Sequence, residues 1–160
     1  MPVAPPCFEI RKSSIQGSGA FATRSIPKRT RLLEYVGERI SAAEASRRYD
    51  DTTMRRHHTF LFDLDGDTCI DAGSGGNDAH FFNHSCMPNC EALIVRRRIY
   101  IYSLRRISTG DELTYDYQYI VDGPLDATAR RLYRCRCGTR ACRGSIVAPE
   151  PPRRKRAVPM

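Results

Sequence analysis

The sequence predicts a mainly β fold with a few short helices. Short runs alternate apolar and polar residues, as half-buried strands do. Gly, Asp-Gly and Pro punctuate these runs. Strands do not alternate with long amphipathic segments, which argues against a parallel βαβ sheet and a Rossmann-type cofactor site. In chain order, "IQGSGAFATRSIPK" (Ile15 to Lys28) carries Gly17 and Gly19 around Ser18. It suits a hairpin turn or a close backbone approach to a ligand, and it lacks the G-K-[ST] ending of a phosphate loop. "RLLEYVGERI" reads as a strand ending at Gly37. Ser41 with Glu44 three residues on is a capping-box signature for a short helix. "FLFDLDGDTCIDA" reads as strand, Asp65-Gly66 turn, strand. It departs from a calcium loop, with Gly66 out of place and no Glu at the twelfth position. "ALIVRRRIYIYSLRRI" gives two strands joined by a basic turn, and "DELTYDYQY" suits one more. Residues 1–7 and 148–160 are Pro-rich and read as disordered flanks. Residues 8–119 form the body, 120–130 a connector, and 131–147 a cysteine-rich end.

The chain has 160 residues, room for one domain with a real core. Its 41% hydrophobic and 28% charged content reads as soluble and globular. No apolar run reaches the roughly 18–20 residues of a membrane helix, so no membrane partner is expected. The N-terminus carries no secretory pattern, which makes metal ligation or free thiols the better expectation for the seven cysteines. Net charge is +8, of which the tail after Ala148 supplies +3 through Arg153, Arg154, Lys155 and Arg156 against Glu150. That tail reads as a solvated basic segment, a nuclear-localisation-like patch or a nucleic-acid contact. No Lys or Arg occurs between His57 and Val95, a window holding Asp63, Asp65, Asp67, Asp71, Asp78 and Glu91. It is a solvated acidic hairpin or a surface for a cationic partner.

Three motifs carry chemistry. "CRCGTRACRG" places Cys135, Cys137 and Cys142 on one short turn, suited to Zn²⁺, with one ligand to come from elsewhere. Cys86 and Cys90, and less naturally Cys7 and Cys69, are candidates for it. Tyr115, Tyr117 and Tyr119 alternate, so one strand would show all three on one face. Such a row either lines the core or forms an aromatic channel for an alkylammonium. "HFFNHSCMPNC" (His80 to Cys90) brings Asn83, His84 and Cys86 together. A metal site, a polar turn or a Cys–His nucleophile pair would each use those residue types.

Taken together and in this order, "GSGAF", "EYVGE", "NDAHFFNHSCMPNC", "GDELTYDY" and "CRCGTRACRG" resemble the motifs of the SET-domain protein lysine methyltransferases. The resemblance covers roughly Phe8 to Ser145. It implies a β-clip-like SET domain over residues 8–119, with knot-like C-terminal threading, and a post-SET zinc loop over 131–147. It implies S-adenosylmethionine as cofactor, lying along Gly17, Ser18 and Gly19, near Phe60, Asn83 and His84, with Arg136 closing over it. It implies Tyr117 as the catalytic tyrosine and Tyr115 as a second catalytic-site and substrate-channel residue that limits the number of methyl groups. It implies Zn held by Cys86, Cys135, Cys137 and Cys142. His80 stands where the family's signature has Arg, and Phe60 where related enzymes often have Tyr. The substrate is expected to be a lysine of a histone or other basic protein, steered by Asp63, Asp65 and Asp67. The place is cytoplasmic or nuclear, chromosome-associated, or a host nucleus for a bacterial source. The alternative is a zinc-stabilised, non-catalytic module that binds basic tails or nucleic acid.

Overall fold

A computed structural model describes residues 5–54, 58–121 and 123–149, without the side chain of Asp51. The basic cluster at 153–156 lies outside the described residues. Among the described residues, ten strands form three small sheets, accompanied by two short α-helices. Strands β1 (Phe8–Lys12) and β2 (Ser18–Ala22) make an antiparallel hairpin across Gly17, which has φ +42°. Strands β3 (Arg31–Tyr35) and β4 (Glu38–Ser41) follow, then α1 (Ala42–Arg48). The strand expected to end at Gly37 stops at Tyr35, and β4 begins just after the glycine in a different sheet. A side chain at Gly37 would lie 2.3 Å from the Asp71 carbonyl, so backbone packing places the break there.

Ser41 caps α1 as expected, its Oγ accepting from the Glu44 N–H at 3.1 Å. The Glu44 carboxylate accepts instead from Arg47 (2.6 and 2.8 Å) and Arg48 (2.7 Å). Strands β5 (Leu61–Asp63) and β6 (Thr68–Asp71) pair antiparallel, with Gly66 at φ +87° in their turn. Strand β7 is only Asn83–His84. Strands β8 (Cys90–Val95) and β9 (Arg98–Ser103) form the expected hairpin, turned at Arg96 and Arg97, both at positive φ. Strand β10 (Glu112–Tyr115) lies between β2, antiparallel, and β7, parallel. Helix α2 (Ala127–Leu132) occupies part of the expected connector and crosses its boundary with the cysteine-rich end. Asp126 caps it, accepting from the Ala129 N–H.

The core is one cluster built mainly by the first two sheets, including Phe8, Ala20, Ile26, Tyr35, Phe82, Ile99, Ile101, Ile107 and Leu113, with Ile70 added from the third. Full burial of such side chains, each contributing about 1.5–3 kcal/mol, is the main source of stability. This core fixes the short parallel pair β7–β10. Thr114 then sits opposite Asn83, and Tyr115 opposite His84. No helix among the described residues is long and apolar enough to cross a membrane.

Candidate functional site

The two ends of the β7–β10 pair converge on one cleft. Its wall is a run of aromatic rings: Tyr35 to Phe62 (5.4 Å between centroids), Phe62 to Tyr115 (6.2 Å), Tyr115 to Tyr117 (4.9 Å), Tyr117 to His84 (5.3 Å). The Tyr117 hydroxyl donates to the Phe82 carbonyl at 2.8 Å, and Tyr35 donates to the Phe60 carbonyl at 2.6 Å. Burial pushes both the Tyr115 and Tyr117 phenols up, with Glu112 adding to it at Tyr117. Both are protonated donors at neutral pH.

The expected three-tyrosine face is corrected. Strand β10 stops at Tyr115, and Gln118 takes φ +46°. Tyr119 leaves the row to pack on Tyr133 (5.3 Å) and to bridge Val147. Alternation continued in the sequence beyond the point where the ladder has a partner.

His84 is buried and bridges two parts of the site. Its Nδ1 accepts from the Tyr117 N–H at 3.0 Å, which leaves the proton on Nε2, 3.4 Å from Cys86 Sγ. Burial holds this imidazole down at about 4, against the pull of Asp116, so the neutral form is the resident one. The Asn83 side chain donates to Gln16 O (3.1 Å), Ser18 O (3.0 Å) and Glu112 Oε1 (2.9 Å). It thereby ties the β1–β2 loop to β10. Glu112 also accepts from Ser13 Oγ at 2.8 Å, and a side chain at Gly19 would meet its Oε1 at 2.1 Å. Ile15, Gln16, Asn83 and Arg136 line the cleft, whereas Gly17, Ser18 and Gly19 stand behind that lining.

Phe60 and His80 line the same cleft, their rings 4.6 Å apart, with Phe81 4.1 Å beyond His80. Among the described residues, Nδ1 of His80 and Oε1 of Gln16 are buried without a partner. Two orphaned polar atoms beside the Asn83–His84 pair fit a polar small molecule in this part of the cleft.

Four sulfurs, from Cys86, Cys135, Cys137 and Cys142, lie within 4.8 Å of one another. Cys86 and Cys135 Sγ are 3.7 Å apart, close to the ~3.8 Å edge of a tetrahedron with ~2.3 Å Zn–S bonds. Backbone N–H groups point at three of them: Cys137 N to Cys135 (3.3 Å), Arg143 N to Cys86 (3.4 Å), Gly144 N to Cys142 (3.4 Å). Burial opposes ionisation of Cys137, but the Thr139 hydroxyl at 3.2 Å and neighbouring donors hold it down to about 6. The donor set and its N–H support fit a thiolate-bound metal. Cys90 is fully buried in the core instead, its thiol pushed up to about 12 by burial.

Arg143 has no distinguishing sequence signal. Its guanidinium clamps Asp116 through two 2.8 Å bonds and donates to Val147 O at 2.9 Å, fastening the cysteine loop to the end of β10. In the acidic window, Asp63 Oδ1 accepts from the Asp65 and Gly66 amides, and Asp65 Oδ1 from those of Asp67 and Thr68. Asp65 also pairs with Arg97. Of the three proposed steering residues only Asp63 reaches the cleft lining. Asp71 is buried and holds Arg48 (3.0 Å) and the Tyr49 hydroxyl (2.9 Å), a structural task.

Compared with known families, residues 17–118 match the SET domain. The chain is 41% identical over 141 residues to "Histone-lysine N-methyltransferase, H3 lysine-4 specific" of Chaetomium globosum, covering 84% of this chain and 13% of that protein. The protein of the same name in Schizosaccharomyces pombe is 40% identical over 139 residues, 84% of this chain and 14% of its own length. Histone-lysine N-methyltransferase SETD1B of Homo sapiens is 37% identical over 142 residues, 84% and 7%. The chain thus spans only 7–14% of the length of these relatives.

Proposed function

The chain belongs to the SET-domain family, and from that premise we propose that it methylates the ε-amine of a lysine in a histone or other basic protein, with S-adenosylmethionine as donor. The observation that carries this reading is the aromatic wall ending on the Tyr117 hydroxyl and the Phe82 carbonyl, beside the Asn83–His84 pair. The relatives' names make histone H3 the first substrate to test, and nuclear chromatin the place of action.

S-adenosylmethionine, when bound, supplies a methyl group already activated on a sulfonium. Gln16 and His80 would offer it polar atoms, Phe60 an apolar face and Arg136 a cation, while Gly17 to Gly19, behind the lining, shape the loop that carries Gln16. The protein's remaining task is to present a neutral amine in line. A free lysine has a pKa near ~10.4 and is almost wholly protonated at pH 7. Aromatic walls desolvate the ammonium beside the donor's positive sulfonium, which disfavours a second charge, so that pKa falls. Tyr117 carries its own proton and is no base. It and the Phe82 carbonyl fix the amine's direction by hydrogen bonding, while the lysine's proton leaves to water. Tyr115 narrows the channel from beneath. Asp63 at the rim meets the positive flanks of the peptide. Cys86, Cys135, Cys137 and Cys142 hold Zn²⁺, which fastens the C-terminal loop against the cleft.

The test is transfer of labelled methyl groups from S-adenosylmethionine to a histone mixture, with Tyr117→Phe as control. Wild type should label H3, and the variant should lose at least tenfold while still binding cofactor by calorimetry. Absence of both transfer and cofactor binding would establish the zinc-stabilised binding module instead.

A further inference from the structure

The net charge of +8 is concentrated. Residues 24–31 lie far from 102–107 in sequence, yet the two run side by side and antiparallel, and the β3–β9 ladder carries the ribbon on to Tyr35 opposite Ile99, just short of the Arg96–Arg97 turn. Ile26 and Ile107 exchange backbone hydrogen bonds, both 2.9 Å. Arg29 N donates to Ser103 O (2.9 Å) and Ser103 N to Thr30 O (3.0 Å). The β3–β9 ladder continues from Arg31 opposite Tyr102. One arm carries Arg24, Lys28, Arg29 and Arg31, the other Arg96, Arg97, Arg98, Arg105 and Arg106, with Glu34 on β3 opposite Tyr100 and Glu91 on β8 opposite Tyr102 as the acidic residues of this sheet. The chain has 26 basic and 18 acidic residues, so without these nine it holds 17 against 18. The ribbon is thus the main positive region of the folded body, beside the +3 of the tail.

All nine cations are exposed, and none lines the cleft. Arg97 pairs with Asp65 and Arg98 with Glu34. The other seven have no carboxylate within ion-pair distance among the described residues. On β9, Arg98, Tyr100 and Tyr102 alternate with buried Ile99, Ile101 and Ser103, so the tyrosines share the outer face with the cations. The Arg31 guanidinium sits 5.1 Å over Tyr100 and that of Arg98 5.7 Å from the same ring.

We propose that this ribbon is a nucleic-acid-binding surface that grips the phosphodiester backbone, separate from the peptide cleft. Seven exposed cations without a carboxylate at ion-pair distance among the described residues make a positive field that attracts a polyanion. Eight of the nine are arginines, whose planar fork matches phosphate oxygens two at a time. The centre of a protein–protein interface is depleted in charge, and this ribbon is charged along its length. An extended arm from residue 24 to 31 reaches at most about 23 Å, or roughly seven base pairs at ~3.4 Å each. Tyr100 and the arginines held against it add a flat platform for unpaired bases.

The full chain should bind a labelled 20-mer, duplex or single-stranded, in fluorescence anisotropy across a salt series. With seven free cations engaged, log K should fall against log salt with a slope near about −6 on duplex. The variant Arg24→Gln, Lys28→Gln, Arg105→Gln, Arg106→Gln should bind at least tenfold more weakly, with a slope shallower by about 3–4. Neutralising the tail instead (Arg153→Gln, Arg154→Gln, Lys155→Gln, Arg156→Gln) should leave the ribbon's share of the slope in place. Tyr100→Ala should weaken single-strand binding about tenfold and duplex binding less. The ribbon variant should keep its melting temperature and its methyl transfer to a short free peptide, so a failure here is distinguishable from failure of the enzyme reading. Any of three results overturns the proposal: no oligonucleotide binding at low salt, an unchanged ribbon variant, or polyglutamate competing equally well at equal charge, which would assign the ribbon to an acidic protein.

Discussion

Replacing Arg143 by Met should unfasten the cysteine loop. The guanidinium and the Asp116 carboxylate meet in two 2.8 Å bonds, and each side chain is about four-fifths covered, with exposures of 22% and 21%. Burial pushes the Asp116 carboxyl up, but Arg143 and the Gln118 amide more than reverse this, so it is charged in the folded protein. Removing the cation leaves that charge in a half-covered site. Breaking a fully buried pair costs about 3–5 kcal/mol, and the remaining exposure argues for the lower end, about 3 kcal/mol. For a chain of this length that is a fall of about 6–12 °C in Tm. Asp116→Asn should cost less, about 2 kcal/mol, because Arg143 keeps the Val147 carbonyl at 2.9 Å. The double variant should then lose less than the sum, with a coupling energy of about 2 kcal/mol in urea titrations of the metal-loaded protein. The same Arg143→Met protein should surrender metal to a chelator faster, since the Arg143 amide also supports Cys86 Sγ. A coupling below about 0.5 kcal/mol would refute the idea that the pair is buried enough to matter.

Three further outcomes follow from single contacts. Gly19→Ala places a methyl 2.1 Å from Glu112 Oε1, which Ser13 and Asn83 hold in place, so it should cost about 1–3 kcal/mol, and Glu112→Ala should recover part of it. An unchanged Tm in Gly19→Ala would contradict this packing. Metal analysis should find close to one zinc per chain, and a strong chelator should lower Tm for wild type but not further for Cys135→Ser. Equal chelator sensitivity in both would place the metal elsewhere. Arg47 first, then Arg48, lowers the Glu44 carboxyl from 4.5 to about 2. A depressed carboxylate stabilises fully above its unfolded value near 4.5, and that contribution is lost as pH falls through about 2. NMR titration should show this, with a midpoint near 4.5 in Arg47→Gln/Arg48→Gln; a wild-type midpoint already near 4.5 would contradict it.

Much of the fold was legible because its signals are local. Asp65-Gly66 and the Ser41–Glu44 cap each act within a few residues, and both stand where the pattern put them. The break at Gly37 was legible from the glycine, but β4 after it was not, and neither was the close packing of Gly37 on the Asp71 carbonyl, distant in sequence. Helix α2 carried a readable cap in Asp126, overshadowed by the neighbouring Gly123-Pro124. Three of the four clustered sulfurs come from one loop and announce themselves. The residues alone left the fourth open between Cys86 and Cys90, and folding separates them by burial: one reaches the loop, the other closes the core.

The stretch around His84 shows why a site can be spelled locally and still be decided by the fold. Asn83, His84 and Cys86 are adjacent, so their residue types suggest one task. The pairing of β7 with β10 gives them three. Asn83 turns back to the β1–β2 loop, and Cys86 turns forward to a loop near the end of the body. His84 between them accepts from the backbone of Tyr117 on one ring nitrogen and reaches Cys86 with the other. Displacing the sulfur must therefore rotate the ring or release the Tyr117 amide. Tyr117, whose hydroxyl reaches the Phe82 carbonyl, and the cysteine cluster thus share one imidazole as a common neighbour.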